Sequence, residues 1–226
     1  MGGFDQTIGR FSWMDGYTTC EIRSATPATL RVYQDIQSGS ASDRGTVTYR
    51  GKLTGFVSLV KTGNETSTAA DTTGSASNSR VAEDLVLGSA ITATGDVSVV
   101  WGLLSFTNGT DRVGSWKGCG KATAGRTVDA RGDVHYGTLE LRHSKVFGKQ
   151  TDVYVAKGAK VRLVAGVAQR VHDLYFEGDD GEWVKQPTGT WGSSASGASH
   201  QSDGFLEGAG VLNVHGDTLP TLIIIK

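Results

Sequence analysis

The chain has 226 residues, room for one large domain or two small ones. Hydrophobic residues make up 38% and 32 glycines accompany them, enough apolar material for an ordinary core, which excludes a wholly disordered chain. Charged residues are 20% with a formal net charge of -1, which removes both the basic excess of a nucleic-acid binder and the acidic block of a disordered tail. Only 3 prolines and 2 methionines occur, and Gly, Thr, Ser and Val dominate. That mixture favours short strands and tight turns over helices.

Period-two runs follow one another along the chain. They are Thr29–Tyr33, Val57–Val60, Asp84–Leu87, Asp96–Val100, Thr138–Leu141, Asp152–Val155, Lys160–Val164, Asp173–Phe176, Gly210–Val214 and Thr221–Ile225. Each has about five residues, near the usual strand length, and Gly, Asn or Asp often separates them. Apolar residues at helical spacing are scarce. Asp15-Gly16, Asn108-Gly109, Asp180-Gly181 and Asp203-Gly204 are hairpin-turn dipeptides, but most runs are joined otherwise. Gly51–Gly55, Gly102–Phe106, Gly137–Leu141 and Gly210–Val214 share a Gly-x-Leu-x phrase, a degenerate repetition of the kind a solenoid leaves. The small polar stretches Thr62–Ser79 and Ser193–Gly204 read as loops rather than domain boundaries, so residues 1–226 are expected to form one domain.

The longest apolar run, Leu222–Ile225, is too short to span a bilayer. Met1 precedes strand-like sequence without a charged-then-apolar leader, and reads as an added start codon on the C-terminal part of a longer protein. Cys20 and Cys119 are no disulfide framework, and two isolated thiols are expected ahead of the alternative, a single disulfide between them.

Leu53-Thr54-Gly55-Phe56-Val57-Ser58-Leu59-Val60-Lys61-Thr62-Gly63 resembles the leucine-valine-lysine-threonine-glycine phrase of bacterial autotransporter-associated β-strand repeats, and Gly137–Leu141 is similar to their closing strand. The succession Val171–Gly178, Pro187–Gly192 and Phe205–Val214 is similar to the C-terminal end of proteins built from these repeats. After Gly63 the sequence departs from the family in Asn64-Glu65-Thr66-Ser67. The resemblance implies an all-β, single-stranded right-handed parallel β-helix, used as a stalk or passenger that is extracellular or on the cell surface, and no shared catalytic residue. With about 25 residues and roughly 4.8 Å per coil, about nine coils are expected. Thr221–Ile225 would lie at the last coil, with Lys226 as a charged gatekeeper.

Motifs that carry chemistry are missing. Gly120-Lys121 lacks the glycine and hydroxyl of a phosphate loop, since Ser115 and Ala122 occupy those positions. There is no nucleophile elbow and no His-Glu-x-x-His pair. His135, His143, His172, His200 and His215 are dispersed without metal spacing, and solvated or hydrogen-bonded histidines are expected. No catalytic, cofactor or metal residue is singled out. The densest charged region is Arg131, Asp133, His135, Arg142, His143 and Lys145, read as a solvated outer face. Arg131-Gly132-Asp133 spells an integrin-binding tripeptide, which arises easily by chance in a chain rich in these residues. Asn64-Glu65-Thr66 and Asn108-Gly109-Thr110 fit the glycosylation sequon. Tyr175, Trp183 and Trp191 either cap the core or stack on sugars, and capping is favoured.

The reading is a non-catalytic structural or adhesive module whose partners are host or cell-surface glycans or proteins. Its rival is a polysaccharide-binding or polysaccharide-cleaving protein. Within the strands, Leu139 and Leu141, Val153 and Val155, and Val161 and Leu163 should face the core, and Thr138 and Glu140 the solvent.

Overall fold

Alternation decides which residues face in, and strand pairing then stacks those residues on one another. A computed structural model describes residues 4–8, 20–33, 46–63, 65, 84–108 and 113–217. Among them there is no helix, and all regular structure is strand. The expected strand at Thr221–Ile225, Lys226, the Asp15-Gly16 turn, most of Thr62–Ser79 and parts of both sequons lie outside the described residues.

The longest path is an eight-stranded sheet. In spatial order it runs β1 (Gln6–Ile8), β2 (Glu21–Val32), β4 (Lys52–Lys61), β7 (Val97–Val99), β10 (Lys121–Ala124), β13 (Asp152–Val155), β16 (Leu174–Glu177) and β17 (Trp183–Lys185). A seven-stranded sheet runs β20 (Leu206–Glu207), β14 (Lys160–Leu163), β12 (Val134–Leu141), β8 (Gly102–Phe106), β5 (Leu85–Leu87) and β3 (Val47–Tyr49), with β11 (Arg126–Val128) attached to β12 off that path. Four strands, β15 (Ala168–Val171), β21 (Val211–Val214), β18 (Gly189–Gly192) and β19 (His200–Gln201), make a third sheet. The pair β6 (Ala90–Ile91) and β9 (Ser115–Trp116) makes a fourth.

Most pairings are parallel and in register, so equivalent residues form rows. Leu30, Leu59, Val97, Ala122, Val153 and Leu174 are successive partners across the first sheet. Leu85, Leu104, Leu139, Val161 and Leu206 are successive partners across the second. All of these belong to one buried cluster. The six residues expected to face in, from Leu139 to Leu163, are at most 1% exposed. Burial of that face is the main stabilising term. The Gly-x-Leu phrase has a steric origin: Gly102 adopts φ +77°, and a Cβ on Gly137 would lie 2.0 Å from the Val99 carbonyl oxygen.

The expected single-stranded parallel β-helix of about nine coils is corrected. The strands belong to four separate sheets, the eight-stranded one is mixed, and β11/β12, β16/β17 and β18/β21 pair antiparallel. Alternation specifies an inward face but not the number of sheets or the direction of return. The returns are set by local turns. Gly181 at φ +83° closes the β16–β17 hairpin, where Gly178 N–H donates to Glu182 O and Glu182 N–H to Asp180 Oδ1.

Glu140 is a second correction. It alternates outward as expected, yet is only 8% exposed. Ser105 Oγ donates to its Oε1 at 2.8 Å, and Arg162 and Arg142 approach the carboxylate at 3.5 and 3.7 Å. Both cysteines are free thiols, as expected. Cys119 is buried, and burial pushes its thiol up to about 12.

Candidate functional site

The charged region read as one outer face is divided between different partners. Arg142 turns to Glu140 and lines a recess with Thr107, Asn108, Val164 and Ala165. His143 Nδ1 accepts the Lys145 N–H and its Nε2 donates to Gly114 O at 2.6 Å. The Lys145 carbonyl takes a hydrogen bond from Lys117 Nζ. Arg131, Asp133 and His135 belong instead to the β11–β12 hairpin.

That hairpin pairs Arg126 with Tyr136, Thr127 with His135 and Val128 with Val134. Its connection, Asp129–Asp133, is organised by one buried side chain. Asp129 Oδ1 accepts the N–H groups of Arg131 (2.8 Å) and Asp133 (3.1 Å), and Oδ2 is 2.7 Å from His135 Nε2. The His135 ring lies 3.5 Å from that of Trp101, 9° from parallel. Ala130 N–H donates to Glu65 O, which ties the tip to the body. Arg131, Gly132 and Asp133 are exposed at this tip. Val128, Val134 and Tyr136, three of the eight exposed large hydrophobic side chains among the described residues, flank it.

Behind the tip sits Glu65. Arg31 Nη2 reaches both of its oxygens at 2.7 and 2.6 Å, and Thr62 and Thr127 hydroxyls donate to Oε1. Burial alone would raise this carboxyl. The hydrogen bonds from Thr62, Arg31 and Thr127 and the Arg31 charge outweigh it and hold the group below its ordinary value.

The second cluster was not singled out by sequence. Asp152-Val153-Tyr154-Val155 and Asp173-Leu174-Tyr175-Phe176 are the same Asp-apolar-Tyr-apolar phrase, carried by the paired strands β13 and β16. In-register pairing sets Tyr154 on Tyr175, rings 4.4 Å apart and 7° from parallel. Trp183 meets Tyr154 edge-on at 5.2 Å, and Lys121 Nζ lies 4.1 Å above the same ring. Tyr175 and Lys121 thereby cover Tyr154, whereas Trp183, expected to cap the core, stays 39% exposed. Trp191 is buried and closes the core end, between the edge of Phe176 and the His200 ring, its indole N–H donating to Pro187 O.

The same repetition sets Asp152 beside Asp173. His172 bridges carboxylates: Nδ1 is 2.8 Å from Asp152 Oδ1 and Nε2 is 2.9 Å from Asp217 Oδ1. These two bonds, to Asp152 and then Asp217, raise the imidazole above its ordinary value. Asp173 is 4% exposed. Its Oδ2 accepts Lys185 Nζ at 2.6 Å and Tyr175 Oη at 3.3 Å, whereas its buried Oδ1 has no partner. Hydrogen bonding to Asp173 raises Lys185 in turn. Donor atoms of Asp152, His172 and Asp173 all lie within 4.8 Å of one another, so among the described residues these three could hold a metal ion. His215, next to His172, spends its Nε2 on Lys149 O.

No helix among the described residues is long and apolar enough to cross a membrane. No protein-family model, curated protein or solved structure matches the chain.

Proposed function

We propose that the chain is a non-catalytic structural and adhesive module of a bacterial surface or secreted protein, and that the β11–β12 hairpin is its contact element. The observation that carries this reading is the pre-ordered, exposed tip at Asp129–Asp133 with Val128, Val134 and Tyr136 beside it. A tip whose backbone is already fixed by Asp129 loses little conformational freedom on binding. Exposed apolar side chains beside a charged tip suit a protein receptor, because they exclude water around the polar contacts. The stacked rows supply a rigid support, and the resemblance of Leu53–Gly63 and Gly137–Leu141 to repeats of bacterial surface proteins is consistent with that role and with an extracellular location.

The test is retention of chain-coated beads on cultured animal cells, alongside a glycan array and a panel of uronic-acid and neutral polysaccharides. Beads should be retained, and the triple variant Val128→Ser, Val134→Ser, Tyr136→Ser and the single variant Asp133→Ala should each lower retention at least about tenfold, as loss of central contacts does. Retention unaffected by either variant overturns the reading. Polysaccharide turnover that disappears in Arg142→Ala or Asp173→Asn replaces it with the enzymatic alternative.

A further inference from the structure

We propose that Asp152, His172 and Asp173 bind one divalent transition-metal ion of the zinc class, with Asp217 as the outer carboxylate that fixes the histidine ring. The donors stand on rigid elements: Asp152 opens β13, and His172 and Asp173 immediately precede β16. His172 N–H donates to Thr151 O, and Asp173 N–H donates to Asp152 Oδ1 at 3.2 Å, so the two segments are tied at the site itself.

Two observations beyond the clustering point to a cation. The first is Asp173 Oδ1, a carboxylate oxygen on a side chain 5% exposed, with no hydrogen-bond donor. A buried acceptor without a donor carries an uncompensated desolvation penalty, and a coordinated cation removes it. Lys185 and Tyr175 occupy only the other oxygen of that carboxylate. The second is the hydrogen bond between His172 Nε2 and Asp217 Oδ1 at 2.9 Å. A metal-ligating histidine characteristically gives its second N–H to a carboxylate, which fixes the tautomer and makes the ligating nitrogen more basic. Here that nitrogen is Nδ1, turned to Asp152.

Spacing and charge agree. Nδ1 is 2.8 Å from Asp152 Oδ1, and one ligand atom from each of Asp152, His172 and Asp173 lies within 4.8 Å of the others. Tetrahedral zinc with bonds of about 2.0–2.1 Å holds its ligand atoms roughly 3.3 Å apart, so side-chain adjustments of about 1.5 Å or less bring the three together. Asp152, Asp173 and Asp217 face Lys185 and His172. A dication with neutral His172 balances the three carboxylates and the Lys185 ammonium. On binding, the proton held between Nδ1 and Asp152 leaves for solvent and the metal takes its place. Water fills the fourth position. An imidazole among the ligands disfavours calcium and magnesium, which take oxygen donors.

The experiment is calorimetric titration of the chelator-stripped full chain with zinc chloride, repeated in two buffers of different ionisation enthalpy. One zinc per chain and net proton release are expected. Affinity should fall roughly 10–100-fold in Asp217→Asn, the usual effect of losing an outer carboxylate, and further in His172→Ala. His143→Ala and His200→Ala should leave it unchanged, and calcium or magnesium in excess should not displace zinc. The Asp217 side chain is 83% exposed, so Asp217→Asn tests the site without threatening the fold. Absence of zinc binding overturns the proposal, as does binding of equal strength in His172→Ala and Asp217→Asn.

Discussion

Glu140→Ala is predicted to destabilise the fold well beyond what an outward-facing strand residue normally costs. The substitution leaves Ser105, 1% exposed, without the acceptor it bonds at 2.8 Å. An unsatisfied buried hydroxyl costs about 1–3 kcal/mol. The Arg162 and Arg142 contacts, at 3.5 and 3.7 Å to arginines that are substantially exposed, add roughly 0–1 kcal/mol together because water screens them. The total is about 1–4 kcal/mol, against about 2–5 kcal/mol for Leu141→Ala in the fully buried row beside it. Urea denaturation of Glu140→Ala, Ser105→Ala and the double variant forms a thermodynamic cycle. Removing both partners removes the orphan, so the double variant should cost less than the sum of the singles by about 1 kcal/mol. Additivity within about 0.3 kcal/mol, or a Glu140→Ala cost below about 0.5 kcal/mol, would refute the reasoning and return Glu140 to the solvated face.

Gly137→Ala should cost about 3 kcal/mol or more, because its Cβ meets the Val99 carbonyl oxygen at 2.0 Å and both backbones lie in packed strands. Gly132→Ala, in open space but at φ +88°, should cost about 1–2 kcal/mol; thermal melts that rank the two the other way would contradict the close approach. Glu65 has its folded value lowered, so its contribution is present above its unfolded value near 4.5 and is lost as pH falls through the lower folded value. Melting midpoints of the parent chain should therefore drop more steeply below about pH 4.5 than those of Glu65→Gln, and parallel curves would exclude the Arg31–Glu65 linkage.

Much of the core was legible because one buried face imposes period two on the strands. Leu139 and Leu141, Val153 and Val155, and Val161 and Leu163 all point inward for that reason. The division into sheets was not legible, because the same inward pattern suits any stack in which apolar rows align. The antiparallel returns hang on a few turn residues, Asp129 in one hairpin and Asp180-Gly181 in another. Glu140 was misplaced because alternation tells which way a side chain points but not what flanks it. Parallel register lines up Ser105, Glu140, Arg162 and Glu207, and the long neighbours cover the carboxylate. Of the candidate sites, the exposure of Arg131–Asp133 depends on the Asp129 clamp, which sequence does not announce. The Asp-apolar-Tyr-apolar phrase at 152–155 and 173–176 was an available signal, since repetition in paired parallel strands places like on like.

That rule has opposite consequences for the two polar positions of the phrase. Tyr on Tyr is favourable, since aromatic rings stack with little penalty. Asp beside Asp is unfavourable, since like charges on neighbouring strands repel. A sheet that continued in parallel with the same phrase would add another Asp to the row. The antiparallel return does the reverse. It pairs Lys185 with Tyr175 and brings the ammonium to Asp173, while His172 and the segment after β21 bring an imidazole and Asp217 to the other side. The departure from parallel stacking at β17 is thus tied to the compensation of charge that stacking itself accumulates. The compensation stops one group short: Asp173 Oδ1 stays buried without a donor, at the spot where the carboxylates still outnumber the cations.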